Sequence, residues 1–408
     1  MIKRTIEMVV RKSLRTFPVT ALVGARQVGK STLSNQIGKE LGYTYVSLDD
    51  LTLRADANRD PQFFLSRFKA PLIIDEAQKA PPLFDEIAHL VNAARLAGKN
   101  ANGMYLLTGS EADDLKGKIQ ESLAGRANLI DMYSLSFDEI LEREEIPLSD
   151  DPSSYFSFES ADSVEEVFNR IVTGGYPELF VNKELEPQIF YAAYLKTYIE
   201  HDVRKKIQDA NEMKFTQFLQ YCASLTGQEL NRTKISKAIG IEMRTVDAWL
   251  SILVKTNIVR LLQPYVDSSL TKRIVRTPKL YFQDTGLASY LARLGDPKNL
   301  LLSYFAGSFF ETYCVNEIIK GFNNTDRKAE FYYYRDNHQN EIDLVMLENG
   351  VLHPVEIKMT MNPGVSDVKA FSQLQGSAYR MGTGYLICMM NRLSKIKDNV
   401  FSLPLSAI

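Results

Sequence analysis

The fold of this chain is decided by a stretch near its N-terminus that reads Gly24-Ala25-Arg26-Gln27-Val28-Gly29-Lys30-Ser31-Thr32. It fits the pattern G-x-x-x-x-G-K-[ST], follows the apolar run Val19–Val23, and opens a helix-like segment over residues 30–41. Glycines let backbone N–H groups turn toward phosphates, and a helix N-terminus favours anions. The stretch therefore predicts an ATP-binding P-loop, with Lys30 on the β- and γ-phosphates and Ser31 on Mg²⁺.

A second apolar run, Leu72–Ile74, ends in two adjacent carboxylates, Asp75 and Glu76. The carboxyl ends of parallel strands meet at one edge of a sheet, so we expect both acids beside the P-loop. Asp75 is predicted to hold Mg²⁺ through a water, and Glu76 to orient and deprotonate the attacking water. Acids after a strand also cap helices, but the neighbouring P-loop favours the catalytic interpretation.

The next apolar run, Met104–Leu107, ends at Thr108 and Ser110. Either hydroxyl is a candidate sensor of the γ-phosphate, although turns favour Ser and Thr for local reasons as well. Further along, Arg126 is the best candidate for an arginine that stabilises transition-state charge across a subunit boundary. That role predicts a homo-oligomer, either a ring or an ATP-dependent assembly. A surface salt bridge is the alternative for Arg126.

Length and composition indicate several globular domains. The chain has 408 residues, more than one hydrophobic core usually organises, and 45% of them are hydrophobic. Its three cysteines, Cys222, Cys314 and Cys388, are far apart, so we expect buried thiols without disulfides or zinc. The basic N-terminus lacks a signal-peptide pattern, and no apolar stretch approaches the ~18 residues of a membrane span. We therefore expect a cytoplasmic protein with no membrane partner.

The middle of the chain shows helix-turn-helix spacing over residues 233–255, followed by two β-rich runs that can form a hairpin. This order predicts a winged helix. Residues 211–280 contain eleven Lys and Arg and five Asp and Glu, a net charge of +6 in a chain of net charge −2. The excess favours duplex DNA as a partner, with a protein-interaction module as the alternative.

The candidate recognition helix begins with Arg244, Thr245 and Asp247, and the other candidate DNA contacts are Lys272, Arg273 and Arg276. We expect Trp249 in the core.

Carboxylates recur near the C-terminus in predicted strands. Asp343 lies in one strand, and Glu356 and Lys358 share one face of the next, because side chains alternate along a strand. Two such acids can ligate a divalent metal with the lysine beside it, and Glu311 is a candidate third carboxylate. A salt bridge between Lys358 and Glu356 would instead make the site structural.

The chain resembles the large prokaryotic family of AAA-type ATPases that carry a C-terminal domain called DUF4143. The resemblance covers nearly the whole length, and its motifs lie at residues 24–32, 75–78, 107–110, 123–126, 174–177, 198–202, 341–343 and 356–358. It implies an AAA-like ATPase core, a winged helix and an end domain similar to PD-(D/E)xK nucleases. The nuclease motif is intact at Asp343, Glu356 and Lys358.

Together these observations predict a multi-domain α/β protein with a parallel AAA-type sheet. The expected parts are a P-loop ATPase domain at 1–150, a helical lid and linker at 151–212, a winged helix at 213–290, and a PD-(D/E)xK-like α/β domain at 291–408. One hypothesis is an ATPase that drives DNA binding or processing, with or without nuclease activity. The other is a nucleotide-dependent switch whose end domains bind DNA or protein without cutting. A kinase of small molecules is disfavoured, because the acidic pair and the multi-domain layout suit mechanical coupling better.

Overall fold

The computed structural model describes residues 2–110, 112–160, 162–198, 203, 212–267 and 277–408, without the side chains of residues 112–114. The chain divides into two compact units. The N-terminal unit contains Met1–Arg143, Tyr176–Val181 and Lys255–Ile258, and the C-terminal unit contains the remainder. The four domain ranges expected from the sequence stay a prediction.

The N-terminal unit alternates helices and strands, as its sequence predicted. Its elements up to residue 143 are α1 (Glu7–Thr16), β1 (Val19–Val23), α2 (Lys30–Leu41), β2 (Thr44–Ser47), α3 (Leu51–Arg59), α4 (Pro61–Arg67), β3 (Leu72–Asp75), α5 (Pro82–Leu96), β4 (Tyr105–Gly109), α6 (Ala112–Ser122), β5 (Ala127–Asp131) and α7 (Phe137–Ile140).

These strands form one parallel sheet in the order β2-β3-β4-β1-β5. Strands β1, β3 and β4 are buried along their whole length, which confirms the prediction of a sheet covered on both faces. The edge strand β5 escaped prediction because its half-buried, partly polar sequence contains no apolar run. Every loop that follows a strand lies at the same edge, and this brings the sequence motifs together.

From residue 144 onward the helices and strands belong to the C-terminal unit, except for α9. They are α8 (Val164–Thr173), α9 (Glu178–Val181), α10 (Pro187–Tyr198), α11 (Glu212–Ser224), β6 (Gln228–Glu229), α12 (Arg232–Ile239), α13 (Met243–Lys255), β7 (Val259–Leu262), β8 (Lys279–Phe282), α14 (Thr285–Leu291), α15 (Pro297–Leu301), α16 (Ala306–Asn324), β9 (Glu330–Arg335), β10 (Glu341–Glu348), β11 (Val351–Ile357), β12 (Arg380–Met381), β13 (Gly384–Cys388), β14 (Ser394–Lys397) and β15 (Val400–Pro404).

Helices α11, α12 and α13 lie next to a three-stranded sheet of order β6-β8-β7. Strands β7 and β8 are antiparallel, as the predicted hairpin requires. The expected tip of this hairpin, residues 268–276, lies outside the described residues. Trp249 is buried in edge-to-face contacts with Phe215 and Phe218, so it is a core residue as predicted.

The last domain is built on a mixed sheet of order β14-β15-β13-β11-β10-β9, with β12 paired to β11. The sequence predicts strands at residues 330–334, 341–347, 353–358 and 384–388, and β9, β10, β11 and β13 form there, whereas β14 and β15 were not predicted. The sequence also predicts a helix near residues 366–380, but the helical segment is shorter, because Val365–Leu374 forms 3₁₀ turns interrupted at Val368. The chain then turns at Gly376, whose φ of +92° ends the helical segment.

The sequence has an acidic stretch at residues 142–151, whose composition is typical of a linker, but from residue 144 it packs within the C-terminal unit. The side-chain amide of Asn324 donates to both carboxylate oxygens of Glu145, at 3.0 and 2.9 Å. The hydroxyl of Tyr385 donates to the carbonyl of Ser149 at 2.8 Å. These polar contacts fix residues 145–149 against the last domain.

The cysteines are free and buried, as predicted. Among the described helices, none is both long enough and apolar enough to cross a bilayer.

Candidate functional site

The P-loop between β1 and α2 requires glycine at its two defining positions, for a different reason at each. A Cβ atom at Gly24 would lie 2.1 Å from the carbonyl oxygen of Met132, so no other residue fits there. Gly29 has a φ of +100°, which other residues rarely adopt. Lys30 donates from Nζ to the carbonyls of Gly24 (2.9 Å) and Ala25 (2.7 Å), which places the ammonium at the loop. The loop therefore has the shape and charge that phosphates require.

Asp75, at the end of β3, lies beside this loop. Its Oδ1 accepts hydrogen bonds from the hydroxyls of Ser31 (2.8 Å) and Thr108, and its Oδ2 is 3.4 Å from the hydroxyl of Ser47. A buried carboxylate next to a serine hydroxyl is a donor set that suits a hard cation such as Mg²⁺. The sequence-predicted pair, Ser31 and Asp75, is thus brought together.

Glu76 points its carboxylate to different partners. Its backbone is left-handed, with a φ of 56°. Its Oε2 accepts from the hydroxyl of Ser110 at 3.0 Å and from the amide of Gln78 at 2.5 Å, while its backbone N–H donates to Thr108 at 3.2 Å. The two neighbouring acids are therefore held in separate orientations, and both candidate sensor hydroxyls contact them.

Two contributors to this site carry no sequence motif. Tyr45 on β2 hydrogen-bonds Asp75, and burial followed by that contact raises the pKa of its hydroxyl. Arg4 supports the P-loop from outside, because its Nη1 donates to the carbonyl of Val28 at 2.7 Å. Its Nε lies 3.1 Å from both carboxylate oxygens of Glu139, and both side chains are buried. A pairing across 135 residues leaves no local signal in the sequence.

Arg126 lies at the edge of the N-terminal sheet where the parallel strands begin, opposite the edge that carries the P-loop. It precedes β5, whose first residue, Ala127, pairs with Val19 at the start of β1. The P-loop follows the far end of β1, so a five-residue strand, about 16 Å long, separates the two. The Nε of Arg126 donates to the side chain of Asn92 at 2.9 Å. Arg126 is thus placed away from its own P-loop.

The first two residues of the 174–177 motif, Gly174 and Gly175, lie against Asp284, which directly precedes α14. A Cβ atom at Gly174 would lie 2.2 Å from the hydroxyl of Tyr191, and its φ is +72°. That hydroxyl donates to Asp284 at 2.8 Å, and the backbone N–H of Gly175 donates to the same carboxylate at 2.8 Å. Glycine is therefore needed at position 174, and the backbone of Gly175 completes the turn. Only Tyr198 of the 198–202 motif lies among the described residues.

Basic side chains line the exposed faces of α12 and α13. Lys234, Lys237 and Arg244 are exposed, while Asp247 pairs with Arg232 at 2.8 Å. The remaining candidate DNA contacts, Lys272, Arg273 and Arg276, lie outside the described residues.

Asp343 on β10 and Glu356 on β11 lie opposite each other, because the residues next to them in sequence, Leu344 and Val355, are paired between the two antiparallel strands. Both carboxylates are buried, and Lys358 lies 3.4 Å from Glu356. Burial, and then the charge of Asp343, raises the pKa of Glu356 to about 9. The sequence thus located these three residues together, but the acids lie inside the protein and not on an open face.

Glu311 joins this cluster from α16. Lys279, which carries no sequence motif, joins it from β8. Nζ of Lys279 on β8 lies 2.8 Å from Glu311 and 3.6 Å from Asp343. Burial, together with the charge of Asp343, raises the pKa of Glu311 to about 7 against the lowering effect of that lysine. In the described part of the chain, no group of three or more His, Cys, Asp or Glu side chains is arranged to hold a metal ion. The predicted metal between Asp343 and Glu356 stays a prediction that this geometry does not favour.

Three protein-family models match the chain. Residues 16–141 match a model described as "AAA domain", residues 164–298 match a domain of unknown function, DUF8612, and residues 306–408 match a domain of unknown function, DUF4143. The uncharacterized proteins Rv2008c of Mycobacterium tuberculosis and Mb2031c of Mycobacterium bovis are each 27% identical over 366 residues, covering 87% of this chain and 74% of theirs.

Two solved structures are similar at low identity. The Walker-type ATPase PABY2304 of Pyrococcus abyssi is 16% identical with a TM-score of 0.46, over 71% of this chain and 96% of that one. The RuvB Holliday junction branch migration motor of Thermotoga maritima is 16% identical with a TM-score of 0.30, over 63% and 88%. From the family models, residues 16–141 are an AAA-type ATPase domain and residues 306–408 are a DUF4143 domain.

Proposed function

We propose that this protein is a magnesium-dependent ATP hydrolase that works as a nucleotide-dependent switch on duplex DNA. The observation that supports hydrolysis is the separation of two adjacent acids. Asp75 is tied to the P-loop through Ser31, whereas Glu76 is tied to Ser110 and Gln78. One acid is thereby available to a cation and the other to a water.

The roles follow from these positions. Backbone N–H groups of residues 24–32 and the ammonium of Lys30 bind the phosphates. Ser31 and Asp75 would hold Mg²⁺, and the ion would neutralise charge on the phosphate oxygens. Glu76 accepts a proton from the attacking water, and Ser110 fixes the direction of its carboxylate. Thr108 links Asp75 to the backbone of Glu76, so it keeps the two acids in register.

Hydrolysis is tested by Glu76→Gln, which keeps the shape of the side chain and removes its basicity. We expect ATP affinity to stay within a factor of about two and phosphate release to fall by on the order of 10²- to 10⁴-fold. Lys30→Ala should lose nucleotide binding itself. The matched control is Glu121→Gln, an exposed glutamate in the same unit, which should leave both unchanged. Wild-type turnover by Glu76→Gln would refute the assignment.

Duplex DNA binding is supported by a separate observation, the exposed cations Lys234, Lys237 and Arg244 on the two helices with helix-turn-helix spacing. Phosphate contacts from such residues give weak binding with little sequence preference that declines steeply with salt. A protein-interaction surface is the alternative for this face.

Fluorescence anisotropy with the full-length protein separates the two. The double variant Lys237→Glu, Arg244→Glu should weaken duplex binding by roughly tenfold or more at low salt and flatten its salt dependence. Lys298→Glu, at a 73% exposed lysine elsewhere in the C-terminal unit, is the control. If the wild-type protein binds no duplex at low salt, the interaction surface is the better hypothesis. A change in the hydrolysis rate on adding duplex DNA would show that the two activities are coupled.

A further inference from the structure

Four acids, Glu311, Glu341, Asp343 and Glu356, form an acid cluster in the DUF4143 domain. This cluster already contains a cation that the chain itself supplies. The side chain of Lys279 is only 2% exposed, and its ammonium lies 2.8 Å from Glu311, 2.5 Å from Glu341 and 3.6 Å from Asp343. The ring of Tyr333 lies 5.5 Å from the same nitrogen. A buried lysine with three carboxylate neighbours is fully compensated in charge.

This lysine is carried on a strand that is firmly attached to α16. The hydroxyl of Tyr281 donates to Glu311 at 2.5 Å, and the side-chain amide of Asn316 donates to the carbonyl of Phe282 at 2.8 Å. The backbone N–H of Phe282 in turn donates to Thr226 at 3.1 Å. Because these contacts fix β8 at Tyr281 and Phe282, shortly after the lysine, the ammonium is held in place among the carboxylates.

Other oxygens of this acid cluster contact donors within the chain. Asp343 Oδ2 accepts from the backbone N–H of Ile357 at 2.9 Å, and Glu356 Oε1 lies 3.4 Å from Lys358. Among the described residues, Glu356 Oε2 is a buried oxygen of this cluster without a hydrogen-bond partner. Magnesium and manganese ions take about six oxygen ligands. The fixed ammonium of Lys279 already occupies the space among Glu311, Glu341 and Asp343 that such an ion would need.

We propose that Lys279 is the resident cation of this cluster, in the place where a metal-dependent nuclease would hold its metal. The cluster then anchors β8 to the last domain and does not cut nucleic acid. This inference is independent of ATP hydrolysis and of DNA binding by α12 and α13, so either activity can fail without affecting it.

The test is a Mn²⁺ titration of the full-length protein without nucleotide, followed by the electron paramagnetic resonance signal of free Mn²⁺. All samples carry Asp75→Asn, which removes the carboxylate proposed for Mg²⁺ at the P-loop. We expect no Mn²⁺ bound at millimolar concentration while Lys279 is present. A bound Mn²⁺ that disappears with Asp343→Asn would overturn the proposal, and this arm needs no variant of the lysine.

The second arm replaces the ammonium with an apolar group of similar length, Lys279→Met. The variant should unfold at a lower temperature than its parent, bind Mn²⁺ at millimolar concentration where its parent binds none, and regain stability when Mn²⁺ is added. The matched control is Lys320→Met, at a buried lysine 2.8 Å from Glu317 on α16, which should lose stability without gaining Mn²⁺ affinity. A folded Lys279→Met protein with unchanged Mn²⁺ affinity would also overturn the proposal.

Discussion

The hydroxyl of Ser31 donates a 2.8 Å hydrogen bond to Oδ1 of Asp75, joining the start of α2 to the end of β3. The same two oxygens are those proposed for Mg²⁺. We therefore predict that Ser31→Ala raises the Mg²⁺ concentration for half-maximal hydrolysis by on the order of tenfold. Ser31→Thr keeps the hydroxyl and should restore the wild-type value. Phosphate release as a function of Mg²⁺ at fixed ATP is the measurement, and an unchanged midpoint in Ser31→Ala would contradict the assignment.

The buried pair of Arg4 and Glu139 supports the P-loop carbonyl of Val28. Removing one partner leaves the other charge buried, so Arg4→Met should lower the free energy of unfolding by about 3–5 kcal/mol. It should also weaken ATP binding, because the loop loses an external support. The double variant Arg4→Met, Glu139→Gln should recover part of the stability. Denaturant unfolding checks this, and strictly additive losses would show that the pair is not coupled.

Arg126 lies at the sheet edge away from its own P-loop and is held by Asn92. We predict that ATP with Mg²⁺ promotes self-association and that Arg126→Ala lowers turnover without lowering ATP affinity. Light scattering measures the mass, and mixing Arg126→Ala with Glu76→Gln should restore some activity, because one type of interface would again contain both groups. A fully active monomer would remove both the assembly and the role of Arg126.

His353 is buried on β11, with its Nδ1 3.2 Å from the carbonyl of Thr383. Burial lowers its pKa below the ordinary value of 6.5. The unfolded chain therefore binds the proton more readily than the folded protein. The stability due to a neutral His353 is present above pH about 6.5 and is lost as the pH falls through the lowered value. His353→Gln should flatten that part of the curve of unfolding temperature against pH, and an unchanged slope would contradict it.

The sequence predicted the parallel sheet and the nucleotide site because their determinants are local. A glycine loop between an apolar strand and a helix, and two acids after the next buried strand, are visible within a few residues. Arg4 and Lys279 were missed as site residues for the opposite reason. Each meets its carboxylate partners only after folding, across 135 residues for Arg4 and 32 for the Lys279–Glu311 contact.

Strands at the edges of the two large sheets were also hard to predict. Strands β5 and β14 are half-buried or exposed, so they lack the continuous apolar run that identified β1 and β3. The Asp343–Glu356 pairing followed from strand alternation and was correctly placed. Its burial could not be predicted, since it depends on β8 and α16 packing over the same face.

The contacts of residues 145–150 decide where this protein can be divided. A fragment that starts at residue 151 would remove Glu145 and Ser149, the acceptors of Asn324 and Tyr385, and Asp150, one of the two acceptors of Thr383. Each buried donor left alone costs about 1–3 kcal/mol. A fragment that starts at Glu144 keeps all three contacts. The acidic stretch is therefore the first piece of the C-terminal half, and an expression boundary drawn by sequence composition would fall on the wrong side of it.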